Sequence, residues 1–291
     1  DQVMMASATK EFVEKELDPH RERFEKKDYQ LTEDCMKKAG ELGLLGIGVP
    51  TEYGGMGMPF NTSVLICDKI SGANGSFSTA FGAHTGIGTL PILLYGNDSQ
   101  KEKYLPKLAT GEWMGCYCLT EPGAGSDANS GKTKAVLTEN GKHYLITGQK
   151  MWISNAGFAD VFIVFARIED DKNITSFILD KEMEGVTMGE EEYKLGLNSS
   201  STRQMFFNEV KVPVEQMLGG RGNGFKIAMN ALNVGRIKLS AGILDACRRV
   251  TTLSTAYANE RIQFGIPIAK FGAIKHKLAD MATRTFAIES A

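Results

Sequence analysis

Apolar residues recur at helical spacing from Gln2 to about Gly111, where Phe12, Val13 and Leu17 fall on one side among charged residues. Thr32, followed by Glu33 and Asp34, reads as a helix start. Residues 42–57 are rich in glycine and include Pro50, which predicts a loop crossing the surface between helices. Residues 71–88 run through Gly, Ala, Ser and Thr with Phe77, Phe81 and His84 among them, a pattern for a helix whose small-residue face lets a neighbour or a ligand come close. From Trp113 to about Pro213 the period becomes two, with extended segments expected at 115–119, 143–147, 161–168, 175–179 and 204–212. The run Val161 to Ala166 is almost continuously apolar, as in a strand covered on both faces, so helices should flank it. Gly219 to Gly224 is too glycine-rich for regular structure, and helical spacing returns from Phe225 through Ala258 and again from Phe271. The order is helical, β, helical: an α+β chain with expected units at 1–112, 113–215 and 216–291.

A chain of 291 residues with 42% hydrophobic content can bury a large core in two or three units. Its net charge of −2 offers no basic field for nucleic acid, though a local basic cluster could still hold a phosphate-rich ligand. Five cysteines, an odd number spread through apolar segments, argue against a disulfide framework and for a reducing compartment. Cys116 and Cys118 form a C-x-C and the four histidines are dispersed, so no metal is expected. No apolar stretch reaches the roughly 18 residues of a membrane span, and the first residues do not form a secretory signal. The expected setting is bacterial cytoplasm or mitochondrial matrix, without secretion.

Residues 117–130, from Tyr117 to Ser130, take an apolar strand end straight into hydroxyls, small residues and backbone donors. Leu119 ends the extended run, Pro122 removes a donor and fixes a turn, and Gly123 and Gly125 lack the Cβ that would keep a ligand off the backbone. Thr120 and Ser126 supply hydroxyls. A lone Gly-x-Gly of this kind is most often a surface turn. Thirty residues on, Gln149 to Gly157 follows an alternating strand and carries Trp152, one of two tryptophans, between polar groups. By itself Trp152 suits either a core or the edge of an aromatic ring system.

The two motifs together, in this order, resemble the acyl-CoA dehydrogenase family of flavoproteins. Leu105-Pro106-Lys107-Leu108, Val210-Lys211-Val212-Pro213, Gly222-Asn223-Gly224-Phe225-Lys226 and Arg261-Ile262-Gln263-Phe264-Gly265 are similar to further landmarks of that family. Gly82-Ala83-His84, Gln100 to Leu108 and Leu232-Asn233-Val234-Gly235-Arg236 look like its very-long-chain branch. The resemblance implies an N-terminal helical domain, a middle β-barrel or sheet domain and a C-terminal helical bundle that is cut short here. It implies FAD as cofactor, with Tyr117, Leu119 and Thr120 on the flavin ring, Gly125 and Ser126 in the same loop, and Trp152, Ile153 and Ser154 covering the other side. Ser126 would also reach the acyl-CoA, and Asn233, Val234, Gly235 and Arg236 would line the substrate. Arg261, Gln263 and Phe264 resemble the segment that reaches the FAD of a neighbouring protomer, which implies a homo-oligomer, dimer or tetramer.

The implied reaction is α,β-dehydrogenation of a long fatty acyl-CoA to the trans-2-enoyl-CoA, with electrons passed to an electron-transferring flavoprotein. Some branches place their catalytic glutamate where this chain has Gly235, which cannot take a proton. The base is therefore expected beyond Ala291, and Glu121 and Asp127 are not expected to replace it, because a carboxylate there suits backbone donors or a cation. Lys275 stands where a glutamine is common. An acyl-CoA oxidase, or a binding protein that kept the fold without turnover, remains an alternative to the dehydrogenase.

Overall fold

The computed structural model describes residues 1–291. Seven helices come first: α1 (Gln2–Phe12), α2 (Arg21–Glu25), α3 (Tyr29–Glu41), α4 (Phe60–Ser71), α5 (Gly75–Gly82), α6 (Leu90–Tyr95) and α7 (Asp98–Thr110). Eight strands follow: β1 (Gly115–Cys118), β2 (Lys134–Leu137), β3 (His143–Ser154), β4 (Val161–Ile168), β5 (Thr175–Asp180), β6 (Val186–Glu191), β7 (Thr202–Pro213) and β8 (Met217–Leu218). Then come α8 (Gly224–Ala241), α9 (Leu244–Glu260), a two-stranded hairpin of β9 (Ile262–Gln263) and β10 (Ile266–Pro267), and α10 (Gly272–Ser290). No helix is long and apolar enough to cross a membrane.

The helical core gathers Phe12, Val13, Leu17, Phe24, Ile66, Phe77 and Phe81, with Phe77 stacked between Phe12 at 5.7 Å and Phe81 at 6.3 Å. Each such buried side chain contributes about 1.5–3 kcal/mol. Helix α3 starts three residues before the expected Thr32, because Asp28 accepts a hydrogen bond from the Leu31 amide and caps it. Thr32 is buried inside the helix and donates its hydroxyl to the Ser199 carbonyl at 2.8 Å. Residues 42–57 do not simply cross the surface. Leu44, Leu45, Ile47 and Val49 are buried, and Met56, Gly57 and Met58 donate backbone bonds to Gly46, Val49 and Ile47, which satisfies the buried loop.

The single helix expected over 71–88 is broken at Asn74, whose side chain accepts from the Ser76 and Phe77 amides and caps α5. It then widens into a π turn at Ala83–Gly88. There His84 is fully enclosed: Nε2 donates to the Leu108 carbonyl at 2.9 Å and Nδ1 accepts the Gly115 amide at 3.0 Å. This histidine therefore ties the π turn to α7 and to the first strand of the sheet.

The strands form one mixed sheet in the order β6-β7-β3-β2-β4-β5-β8, with β1 pairing β4. It is open at β6 and β8, so the barrel alternative does not hold and the sheet alternative does. Local periodicity sets the alternation of side chains but not whether edges meet. Strand β4 is buried on both faces, and its two faces meet different partners. Val161, Ile163 and Phe165 pack with Tyr104, Leu105 and Leu108 of α7 and Ile227 and Ala231 of α8. Phe162, Val164 and Ala166 pack with Ile146, Met205 and Val210 of β3 and β7. Helices thus cover one face only, and the curled sheet covers the other.

Candidate functional site

Strand β1 runs parallel to β4 from Gly115 opposite Val161 to Cys118 opposite Val164, and β2 takes up the same edge at Lys134 opposite Arg167. Residues 119–133 are squeezed out between these pairings and form a loop over the edge. Glu121 and Ala124 exchange backbone hydrogen bonds at 3.1 Å, which makes a tight turn around Pro122 and Gly123. A Cβ on Gly123 or Gly125 would meet nothing within 4 Å, so this backbone faces open space that a ligand can enter.

The Glu121 carboxylate holds the loop shut. It accepts the Lys132 amide at 2.6 Å, the Thr133 amide at 3.1 Å and the Lys150 ammonium at 2.6 Å. Burial pushes its pKa up, but Lys150 and the amide donors outweigh burial and hold it below the usual carboxylate value. Glu121 is thus committed to internal partners.

Opposite the loop, β3 bulges. Lys150 pairs with Met205 but Ile153 pairs with Arg203, so three steps on β3 match two on β7. Trp152 takes up the extra residue with φ +58°, and the bulge turns its indole outward, 60% exposed. Met151 donates its amide to the Thr120 carbonyl at 3.0 Å, fixing bulge against loop. Trp152 is therefore not a core residue. The other tryptophan, Trp113, lies under the Lys107 ammonium and beside Tyr104.

Loop, bulge and α8 enclose a cleft of about 340 Å³ lined by Tyr117, Leu119, Thr120, Gly125, Ser126, Trp152, Ile153, Ser154 and Arg236. Eight of these nine were singled out in the sequence for one ring-shaped cofactor, and Arg236 was singled out for the substrate. Ile87, Ala128, Met229 and Leu232 complete the wall; they carry no polar signal, and only the π turn and helix packing bring them here. The Tyr117 hydroxyl is buried without a partner. No intramolecular hydrogen bond is made by the side-chain hydroxyls of Thr120, Ser126 or Ser154. An apolar slot with a flat indole and a rim of free hydroxyls suits an aromatic ring with polar edges.

A second cavity of about 290 Å³ adjoins the cleft, because Ile87, Ser154, Leu232 and Arg236 line both. Gly235 lines it, and a Cβ added there would meet only Ile87 Cγ2 at 3.8 Å. Thr79, Phe81, Gly82 and Ala83 form its far wall, so the small-residue segment borders a cavity as well as packing. No residue lining either cavity is Asp or Glu. Val234 points into a third cavity, and Asn233 accepts a hydrogen bond from Arg236 at 2.6 Å. Arg261, Gln263 and Phe264 are not brought to the cleft. They sit in and beside the β9–β10 hairpin, exposed, with Phe264 at φ +52° and 94% exposed.

Models of the acyl-CoA dehydrogenase N-terminal, middle and C-terminal domains match residues 1–112, 116–210 and 222–291. The chain belongs to the acyl-CoA dehydrogenase family. It is similar to a probable acyl-CoA dehydrogenase of Bacillus subtilis (strain 168), 50% identical over 99% of this chain and 48% of that protein. A very long-chain specific mitochondrial acyl-CoA dehydrogenase of Macaca fascicularis is 43% identical over 89% of this chain and 41% of its own length. A solved acyl-CoA dehydrogenase of Bacillus anthracis complexed with FAD matches with TM-score 0.93 and 47% identity, over 98% of this chain and 49% of that one. The chain thus spans about half the length of these relatives.

Proposed function

We propose that this chain is the FAD-binding and acyl-binding part of an acyl-CoA dehydrogenase that acts on long-chain thioesters. The observation that carries this reading is the cleft itself, where Trp152, the free hydroxyls of Thr120, Ser126 and Ser154, and the open backbone at Gly125 line a slot that adjoins the cavity beside Gly235. Bound FAD would supply the hydride acceptor that no side chain provides.

Thr120 and Ser154 would bind the polar edge of the flavin, Tyr117 and Leu119 would pack against its ring, and Trp152 and Ile153 would cover the other side. Ser126 would lie where the cofactor meets the thioester, with Arg236 beside it. The acyl chain would enter along α8 past Leu232 and Gly235. Holding the reacting carbons in place against ring and base is worth up to roughly 7–11 kcal/mol in favourable reactions. The apolar walls exclude water, which strengthens each polar contact in the slot. The cavity-lining residues of this chain contain no carboxylate to accept the α-proton, so that group must be brought to the cavity from another element.

In the assembled protein, a homodimer or homotetramer, Arg261, Gln263 and Phe264 of the exposed hairpin would reach the FAD of a neighbouring protomer, with Arg261 on the pyrophosphate. Electrons would leave to an electron-transferring flavoprotein. Anaerobic titration of the full-length, FAD-loaded protein with acyl-CoAs of increasing length tests the reading: long chains should bleach the visible flavin band and short ones should not. A yellow protein that no thioester bleaches overturns the activity, a colourless one that takes up no FAD overturns the cofactor, and rapid reoxidation in air would mark an oxidase instead.

A further inference from the structure

Helix α8 passes three cavities in turn. Met229 and Leu232 face the cleft, Gly235 the second cavity, and Val234 and Lys238 a third of about 210 Å³. Lys238 and Phe81 line both the second and the third, so these two also adjoin. The third cavity has ten hydrophobic residues among its fifteen, including Leu44, Ile47, Met58 and Leu93. Lys238 lines it, one turn of helix beyond Gly235 or about 5 Å along the axis.

Its ammonium group makes no ion pair and no hydrogen bond, and the titratable neighbour that perturbs it is the Cys67 thiol rather than a carboxylate. Its side chain is half-buried, and that burial lowers its pKa. The contrast with Lys150 is direct, because that buried amine has Glu121 at 2.6 Å. A second polar group faces the same space: Ser63 is buried, lines the third cavity, and its hydroxyl makes no hydrogen bond. A cation partly withdrawn from water without an anion carries a desolvation cost, and a ligand that brings the anion offsets it.

We propose that Lys238, with Ser63, binds a carboxylate carried at the far end of the acyl chain, so that monothioesters of α,ω-dicarboxylic acids are favoured over simple fatty acyl thioesters of equal length. The inference rests on the acyl-binding reading of the adjoining cavities. Lys238 acts on specificity, since it lines the second and third cavities but not the flavin cleft.

The test compares tetradecanedioyl-CoA with myristoyl-CoA and hexadecanedioyl-CoA with palmitoyl-CoA on the full-length, FAD-loaded protein. Binding is read by calorimetry and turnover by flavin bleaching. The dicarboxylic thioesters should bind at least about tenfold more tightly. Lys238→Met should reverse that order, Lys238→Arg should keep it, and Ser63→Ala should weaken it without reversal. Equal binding of each pair by the unaltered protein, or a preference that survives in folded Lys238→Met, overturns the inference. Because calorimetry needs no turnover, tight binding without bleaching would count against the dehydrogenation reading and leave the role of Lys238 standing.

Discussion

Lys150 places its ammonium 2.6 Å from the Glu121 carboxylate, with both side chains buried, and so joins the loop over 119–133 to the strand that carries Trp152. Lys150 also donates to the Leu119 carbonyl at 3.2 Å. Removing one member strands the other in the interior. Lys150→Met should cost about 3–5 kcal/mol, read as a drop in the urea midpoint. Glu121 has a lowered pKa in the folded protein, so its contribution is full above its unfolded value, near 4.5, and is lost as pH falls through the folded value. Glu121→Gln should remove that acid-side loss. A Lys150→Met protein with unchanged midpoint would refute the clamp.

Trp152 should matter to ligand and hardly to stability, because it is exposed on a bulge. Trp152→Ala should change unfolding free energy by no more than about 0.5 kcal/mol. The same variant should weaken FAD binding by about tenfold or more. Quenching of tryptophan emission on adding FAD checks the contact, and it should largely vanish in the variant, where only Trp113 remains.

His84 is held neutral: burial takes its pKa from 6.5 to about 4. Between those values a proton binds the unfolded chain in preference, so stability should fall as pH drops from 6.5 towards 4 and should be unaffected by this group above 6.5. His84→Gln should flatten the slope of unfolding free energy over that interval. Its cost at neutral pH would come from a poorer bridge between Leu108 and Gly115. An unchanged slope would mean that His84 does not set the acid limb.

Gly235 has room for a side chain on the cavity wall. Gly235→Glu should therefore fold, and should place a carboxylate beside the second cavity. In the 291-residue chain loaded with FAD, acyl-CoA should bleach the flavin faster in the Gly235→Glu variant than in the unaltered chain. The gain should reach up to about 10²-fold, the lower end of general-base effects. Equal rates would mean that the acyl α-carbon does not pass this point of α8.

Segments with a clean period were legible one by one. Strand β4 announced itself because every residue but Arg167 is apolar or small, and both its faces are indeed covered. Strands β2 and β6 were missed because each is largely exposed or half-exposed, and β6 ends in Gly189, Glu190 and Glu191; the register of β3 and β7 holds them extended. The second half of β3 was missed for a related reason. Gly148, Gln149 and Lys150 look like a loop until Glu121, 29 residues earlier, neutralises the lysine inside the sheet.

The sequence by itself determined the helical, β, helical order and the two motifs whose pairing marks the family, since periodicity and local turn chemistry are short-range properties. It also supplied the residues that border the cleft from the loop and the bulge. Only the tertiary structure decided that the sheet stays open, that Trp152 points out of a bulge, and that Ile87, Leu232 and Lys238 border the same series of cavities. Those outcomes depend on which strand edges pair and which helices pack across them. Such contacts join residues far apart in the chain, so no local pattern encodes them.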